Sequence, residues 1–322
     1  FPESAWLLAS RHTLRQIPGD FASMSQKTAV VIATFSRRMR LQLEDGAEVE
    51  ARIKGKKLKP VCGDRVVAVS IEDESDWLIT EIVQRVNELT RPNMRGQTEV
   101  LAANVELLIV VAATSPQPDW FIVDRYLCAA ESMHIRAAVV FNKTDVASKD
   151  EKIASALHDY ARIGYPTLRC SAKANSNIDS IQAIVHGNTA IIVGQSGVGK
   201  SSIINRLLGG PEQRTAEVSN KTGEGKHTTV NSMMLTLPGG GVIIDSPGVR
   251  DYAPALQSAT QVIQGFREIE RAGHDCRFAN CRHLREPGCA VKLAVEDGTI
   301  SARRYESYRR LLALTERLDK KL

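Results

Sequence analysis

The stretch Gly194-Gln195-Ser196-Gly197-Val198-Gly199-Lys200-Ser201 fits glycine, four residues, glycine-lysine-serine without a mismatch. Such a loop is built to hold phosphate. Its glycines let the chain fold back so that successive backbone N–H groups point inward and make an anion nest. The apolar run Thr189 to Val193 before it reads as a strand, and Ser202 to Leu208 after it reads as a helix. That strand–loop–helix setting gives the pattern its meaning. The positive end of the helix dipole adds to the attraction. Lys200 would reach the outer phosphates of a nucleotide, and the Ser201 hydroxyl would bind Mg2+.

The loop alone does not choose between ATP and GTP. Phe141-Asn142-Lys143-Thr144-Asp145, at the end of an apolar strand, does. Guanine offers two donors on one edge, N1–H and the 2-amino group. A carboxylate such as Asp145 accepts both, and adenine cannot supply them. Asn142 would brace the loop, and the stem of Lys143 would lie over the base. Ser171-Ala172-Lys173 reads as the companion loop, whose backbone N–H meets guanine O6. Asp245-Ser246-Pro247-Gly248 follows the strand Val242-Ile243-Ile244. There Asp245 would hold Mg2+ through water, and the Gly248 N–H would sense the γ-phosphate. Thr228-Thr229 closes a polar, glycine-rich stretch from Ser219, and Thr229 is the threonine expected to complete the Mg2+ shell.

A second group of residues has metal-ligand chemistry. Cys276, Cys281, His283 and Cys289 lie within fourteen residues, spaced Cys-x4-Cys-x-His-x5-Cys. Three thiolates and one imidazole suit a closed, tetrahedral, structural Zn2+ site with no position left for catalysis. His274 is an alternative ligand, and His283 is preferred. Metal binding would stabilise a segment too polar to form much core. Cys62, Cys128 and Cys170 read as small buried residues.

These residues need elements to carry them. Lys27 to about Leu89 reads as short strands with glycine turns: Thr28 to Ala33, Leu41 to Leu43, Glu48 to Ala51, Val61 to Val69 and Trp77 to Ile82. That pattern predicts a five-stranded barrel of the OB type, a fold that often binds nucleic acid. Arg37, Arg38, Arg40, Arg52, Lys54, Lys56, Lys57 and Lys59 fall close together in it, diluted by Glu44, Asp45, Glu48 and Glu50. An RNA footprint and a solvated surface are equally compatible with this charge. Thr90 to Ala103 has few strong signals and is expected to be a linker.

From Asn104 onward, strands alternate with helices. Leu107 to Ala113, Arg136 to Phe141, Thr167 to Cys170, Ser232 to Leu237 and Gly241 to Ile244 read as strands. Asp119 to Met133, Lys149 to Arg162 and Ile178 to Val185 read as helices, the first with Trp120, Val123, Leu127 and Ala130 on one stripe. This is a doubly wound α/β domain. Its motifs run in an unusual order. Ras-like GTPases carry the phosphate loop first and the guanine motifs last, whereas here residues 142–145 and 171–173 precede 194–201. The set is complete but rotated, as a circular permutation would leave it. Asp251 to Leu322 is helix-rich, with Ala302 to Lys321 as one long helix.

Composition bounds the class. The chain has 322 residues, net charge +5 and pI about 8.9, and 43% hydrophobic residues. Two or three soluble domains follow, and the mildly basic charge is weakly compatible with an RNA partner. The longest purely apolar run, Leu107 to Ala113, is too short for a bilayer. Residues 1–26 show no charged start followed by an apolar core and no assignable period. The cysteine spacing does not suit a secreted disulfide framework, so a cytoplasmic location without membrane association is expected.

These motifs, with Lys226-His227-Thr228-Thr229 and Glu286-Pro287-Gly288-Cys289, closely resemble the RsgA (YjeQ) family of circularly permuted GTPases over about residues 28 to 322. The resemblance implies a multidomain protein: an N-terminal arm (1–26), an OB-fold RNA-binding barrel (27–92), a linker (93–103), a circularly permuted P-loop GTPase α/β domain (104–252) and a C-terminal helical zinc-binding domain (253–322). It implies a monomeric bacterial enzyme that hydrolyses GTP to GDP and phosphate. Its partner would be the small ribosomal subunit and its rRNA, late in that subunit's maturation, with the subunit stimulating hydrolysis.

One position departs from the Ras-like pattern. The residue after Gly248, where those enzymes carry a water-orienting glutamine, is Val249. It can neither donate nor accept a side-chain hydrogen bond, so intrinsic hydrolysis should be slow. His227, beside the switch threonines, is the expected catalytic substitute once the partner orders its loop. Two other readings compete. A small-molecule kinase would not need Asn142 to Asp145, and an RNA-binding protein with a vestigial site would have lost Lys200 or Ser201.

Overall fold

A computed structural model of the chain describes residues 26–36, 38–55, 57–71, 74–92, 98–146, 150–210, 230–246 and 258–319. His227, Thr228, Thr229, Gly248 and Val249 lie outside the described residues, as does the N-terminal arm up to residue 25.

Strands β1 (Gln26–Phe35), β2 (Met39–Leu43), β3 (Glu48–Ile53), β4 (Arg65–Ser70) and β5 (Trp77–Ile82) pair in the order β1-β2-β3-β5-β4, and β1 also pairs with β4. The sheet therefore closes on itself as a five-stranded barrel. The period of two along β2 shows why: Met39, Leu41 and Leu43 are buried while Gln42 is exposed. Those residues pack with Ala29, Val31, Ala51, Val66, Ala68 and Ile79 inside the barrel. The β2–β3 turn falls at Asp45-Gly46, where Gly46 has φ +84° and Asp45 Oδ1 accepts from Ala47 N at 3.0 Å.

The connection expected at 93–103 is not featureless. Strand β7 (Thr98–Ala103) pairs antiparallel with β6 (Glu88–Pro92), and Leu101, Ala102 and Ala103 are buried. Its apolar residues cap the seam between barrel and α/β domain, a packing role that local composition does not announce.

The α/β domain contributes β8 (Leu107–Ala113), α1 (Trp120–Ser132), β9 (Arg136–Asn142), α2 (Glu151–Ile163), β10 (Thr167–Arg169), α3 (Ile178–Val185), β11 (Thr189–Gly194), α4 (Lys200–Leu207), β12 (Val230–Thr236) and β13 (Val242–Asp245). Its strands lie in the order β10-β9-β8-β11-β13-β12, parallel except for β12. Every residue of β8 is buried, as expected of a central parallel strand covered on both faces. Leu108 and Val110 face a core with Leu127, Tyr126 and Tyr160 from α1 and α2. Ile109 and Val111 face a core with Ile181, Val185, Ile203 and Leu207 from α3 and α4. The chain builds one wing of the sheet outward from β8, then returns to lay β11 on the other side of β8. This is the spatial form of the rotated motif order.

Strand β1 also continues the α/β sheet, pairing with β12 through Ala33↔Met233, Thr34↔Ser232 and Phe35↔Val230. Barrel and α/β domain thus share one ladder of eleven strands.

The C-terminal helices α5 (Ala259–Gln264), α6 (Arg267–Gly273), α7 (Ala290–Glu296) and α8 (Ala302–Asp319) surround Val262, Phe266, Ile269, Val291, Tyr308, Leu311 and Leu312. Cys128 of α1 belongs to the same cluster, so this unit is docked on the α/β domain. Buried charge reinforces the dock. Asp124 of α1 accepts from Arg304 Nη1 at 2.9 Å, Arg303 Nη1 at 3.0 Å and Tyr160 Oη at 2.6 Å. Arg304, fully buried, also pairs with Glu268 at 2.6 and 2.9 Å.

Candidate nucleotide site and metal centre

Strands β9, β11 and β13 are neighbours or near-neighbours in the parallel part of the sheet and end at Asn142, Gly194 and Asp245. Parallel strands release their loops on one edge, so the three motifs emerge together. Asn142 is the tie between them, buried to 2% exposure. Its Nδ2 donates to Val198 O of the phosphate loop at 2.9 Å, and its Oδ1 accepts from Ala172 N at 3.0 Å. Lys143 Nζ reaches Gly197 O at 2.8 Å and Ser115 O at 2.7 Å. Thr144 donates from both N and Oγ1 to Cys170 O, at 3.1 and 2.9 Å, and so holds the 142–145 and 171–174 loops together.

Asp145 is exposed, which leaves it accessible to a base. The Ser171 hydroxyl donates to its Oδ1 at 2.5 Å and holds the carboxyl below its ordinary range. Near neutral pH it is ionised, the form needed to accept two donors. The Ala172 N–H, a candidate donor to O6, is already directed at Asn142 Oδ1. The neighbouring Lys173 N–H is the one in 171–174 left without a partner among the described residues.

The phosphate loop follows its glycine logic. Gly194 has φ +136°, and a Cβ there would lie 2.2 Å from Val111 O. Gly199 has φ +97°, and a Cβ there would lie 2.3 Å from Asn142 Nδ2. Any side chain would therefore separate the two motifs. Lys200 starts α4, is buried, and donates to Gly194 O at 2.6 Å and Gln195 O at 2.7 Å. Its amine is thus folded back over the loop, where phosphate oxygens can replace the carbonyls. Val198 is buried, while Ser196 and Gly197 are exposed. Ser201 and Ser202 occupy the first turn of α4, and Asp245 is buried at the end of β13.

Two contacts at this site had no signal in the sequence. Gln195 Oε1 accepts from Asp119 N at 2.9 Å, fastening the phosphate loop to the start of α1. Arg206, in the last turn of α4, donates to Ala172 O at 2.7 Å and Lys173 O at 3.3 Å. Neither can be inferred from spacing, because each joins elements that meet only in the folded sheet.

The ligand atoms of Cys276, Cys281, His283 and Cys289 all lie within 4.8 Å of one another. Cys276 Sγ and Cys289 Sγ are 3.9 Å apart, close to the roughly 3.8 Å that a tetrahedron of Zn–S bonds of about 2.3 Å requires. His283 Nδ1 lies 3.4 Å from Cys276 Sγ and 3.5 Å from Cys289 Sγ. The cluster can hold a metal ion and includes His283, not His274. Burial lowers the His283 pKa, keeping the imidazole neutral as a ligand must be. Burial pushes Cys281 up to about 12, a cost that a bound cation would reverse by stabilising the thiolate. Helix α8 braces this loop: Tyr305 Oη donates to His283 O at 2.5 Å and Tyr308 Oη to Arg282 O at 2.8 Å. Stripping the metal with a chelator should therefore loosen α8 and make residues 274–290 susceptible to protease. An unchanged digestion pattern would show that the loop holds itself.

The basic residues of the barrel are partly neutralised. Arg40 pairs with Glu50 at 2.5 Å, Arg52 with Glu74 and with Asp76 at 3.4 Å, and Arg38 lies 3.9 Å from Asp76. Arg37 and Lys56 lie outside the described residues.

Comparison with known proteins decides the family. The RsgA GTPase family model matches residues 82–254. A small ribosomal subunit biogenesis GTPase RsgA from Azotobacter vinelandii is 38% identical over 295 residues, covering 89% of this chain and 85% of that one. The chain belongs to the RsgA GTPase family. It is a GTP hydrolase. An RsgA from Pseudomonas aeruginosa is 37% identical over 317 residues, covering 97% of this chain and 93% of its own. The crystal structure of YjeQ from Thermotoga maritima superposes with TM-score 0.72 at 26% identity, covering 90% of this chain and 99% of that chain. The circularly permuted GTPase YloQ shares the fold, with TM-score 0.70 at 24% identity and coverage of 91% and 96%. The RsgA fold thus extends across barrel, α/β domain and C-terminal helices. No described helix is long and apolar enough to cross a membrane.

Proposed function

We propose that this RsgA-family protein binds GTP across the junction of its guanine and phosphate loops and hydrolyses it as a switch on the small ribosomal subunit. The observation that carries the nucleotide reading is the pair of hydrogen bonds of Asn142, which ties the phosphate loop to the 171–174 loop. One rigid junction then grips the base and the phosphates of the same molecule. Asn142, Lys143, Thr144 and Asp145 form the base side with Ser171, Ala172 and Lys173. Gly194 to Ser202, with Asp245 and Gly248, form the phosphate side. The relatives' names support the partner.

Ser201, Asp245 and Thr229 would hold Mg2+, which neutralises charge developing on the β- and γ-phosphate oxygens. Lys200 would move its amine from the two loop carbonyls to those oxygens. His227 would orient the attacking water once the subunit orders its loop. The Cys276, Cys281, His283 and Cys289 centre would hold structural Zn2+, favoured over harder cations by its thiolates. Barrel and C-terminal domain would contact rRNA, the protein acting as a cytoplasmic monomer late in subunit maturation.

The test is turnover of GTP and ATP with and without purified small subunits. Slow GTP hydrolysis that the subunit raises, with no ATP hydrolysis, is expected. ATP turnover equal to GTP turnover would remove the guanine reading, and indifference to subunits would remove the partner. In the same assay His227→Ala should lose about 10²- to 10⁴-fold of the stimulated rate, the usual range for a positioned proton-handling group. A variant still fully stimulated would take His227 out of the mechanism.

A further inference from the structure

We infer that Arg206 is a positioning residue for guanine recognition: from the far end of α4 it orients the Ala172–Lys173 peptide so that the Lys173 N–H reads the 6-position of the base. This rests on the site reading above.

Arg206 Nε donates to Ala172 O at 2.7 Å, and Nη2 donates to Lys173 O at 3.3 Å. The Ala172 carbonyl and the Lys173 N–H belong to one peptide unit. A trans peptide is planar, so its N–H points opposite to its C=O. Fixing the oxygen against the guanidinium therefore aims the hydrogen away from α4. The other donors of this loop are committed within the fold. Ser171 N bonds Ser176 O at 3.0 Å, Ala172 N bonds Asn142 Oδ1 at 3.0 Å, and Ala174 N bonds Ser171 Oγ at 3.0 Å. Among the described residues that leaves the Lys173 N–H for a ligand. Guanine O6 is an acceptor, and adenine presents a donor at the same place. A positively charged partner on the carbonyl also polarises the peptide and strengthens its N–H as a donor.

The arginine closes a ring. The phosphate loop leads into α4, α4 carries Arg206, Arg206 holds the 171–174 loop, and that loop holds Asn142, which returns to Val198 O. A lysine could supply the charge but not a planar fork reaching two carbonyls.

The recognition of the base then divides into separable halves. Asp145 reads the 2-amino group, and Lys173 N–H, set by Arg206, reads O6. Equilibrium affinities of wild type, Arg206→Ala and Arg206→Lys would be measured for GDP, for inosine diphosphate, which lacks the 2-amino group, and for 2-aminopurine riboside diphosphate, which lacks O6 and with it the N1–H, so that only the change between variants reports on O6. In Arg206→Ala, the preference for GDP over the 2-aminopurine nucleotide should shrink by up to about tenfold, the worth of one hydrogen bond between neutral groups. The preference for GDP over inosine diphosphate should stay as in wild type. Arg206→Lys should fall between. If both preferences persist, or both collapse together, Arg206 has only a general structural role and the inference fails. Failure of wild type to prefer GDP over either analogue would instead overturn the site reading itself.

Discussion

Asp145→Asn is expected to lower GTP affinity by about a hundredfold or more and to raise affinity for xanthosine triphosphate. On the proposed function, the carboxylate would accept N1–H and the 2-amino group of guanine, and each hydrogen bond to a charged group contributes roughly 1.5–3 kcal/mol. An amide keeps one acceptor and turns its other atom into a donor. That donor faces the 2-amino hydrogens of guanine, a repulsive contact, but meets the 2-oxo group of xanthine. The Ser171 hydroxyl can still donate to the remaining amide oxygen, so the loop keeps its support. Titration of the variant with GTP, xanthosine triphosphate and ATP checks the outcome. Unchanged GTP binding would place the base elsewhere.

The second large effect is expected at the dock between α1 and α8. Arg304→Met leaves Glu268, largely buried, without its arginine and leaves Asp124 held only by Arg303 and Tyr160. Breaking a buried ion pair on one side costs about 3–5 kcal/mol. Asp124→Leu should then cost less in the Arg304→Met background than it does alone, because the ion pair with Arg304 is already lost there. Hydrogen exchange of α8 and thermal melting would measure both variants. Strictly additive losses would mean that the two side chains do not act as a pair.

What the sequence made legible was local. Asn142 to Asp145, Gly194 to Ser201 and the metal-binding spacing each occupy a few consecutive residues, so their chemistry can be read before any fold is known. Asp124 left a readable trace, since it falls between Val123 and Leu127 on the apolar stripe of α1. A charge in such a stripe needs a partner. Arg304 shows the same anomaly on α8, one turn before Tyr308 and fully buried. The partnership itself was not legible, because 180 residues separate them. Arg206 left no trace at all, since a cation in the last turn of a helix is ordinary. The hairpin of β6 and β7 was missed because its strands are short and polar at one end. The barrel's pairing with β12 joins segments about two hundred residues apart, and no periodicity encodes that.

That shared strand has a consequence for how the enzyme can be dissected. Phe35 pairs with Val230, the residue directly after Thr229. Removing the barrel would strip β12 of its outer neighbour and leave a naked margin of unsatisfied main-chain groups, the kind of surface that recruits foreign strands. It would also leave the start of β12 at Val230 without its strand partner Phe35. A truncated α/β fragment would thus be sticky, and a pull on the barrel would be felt as shear along β12.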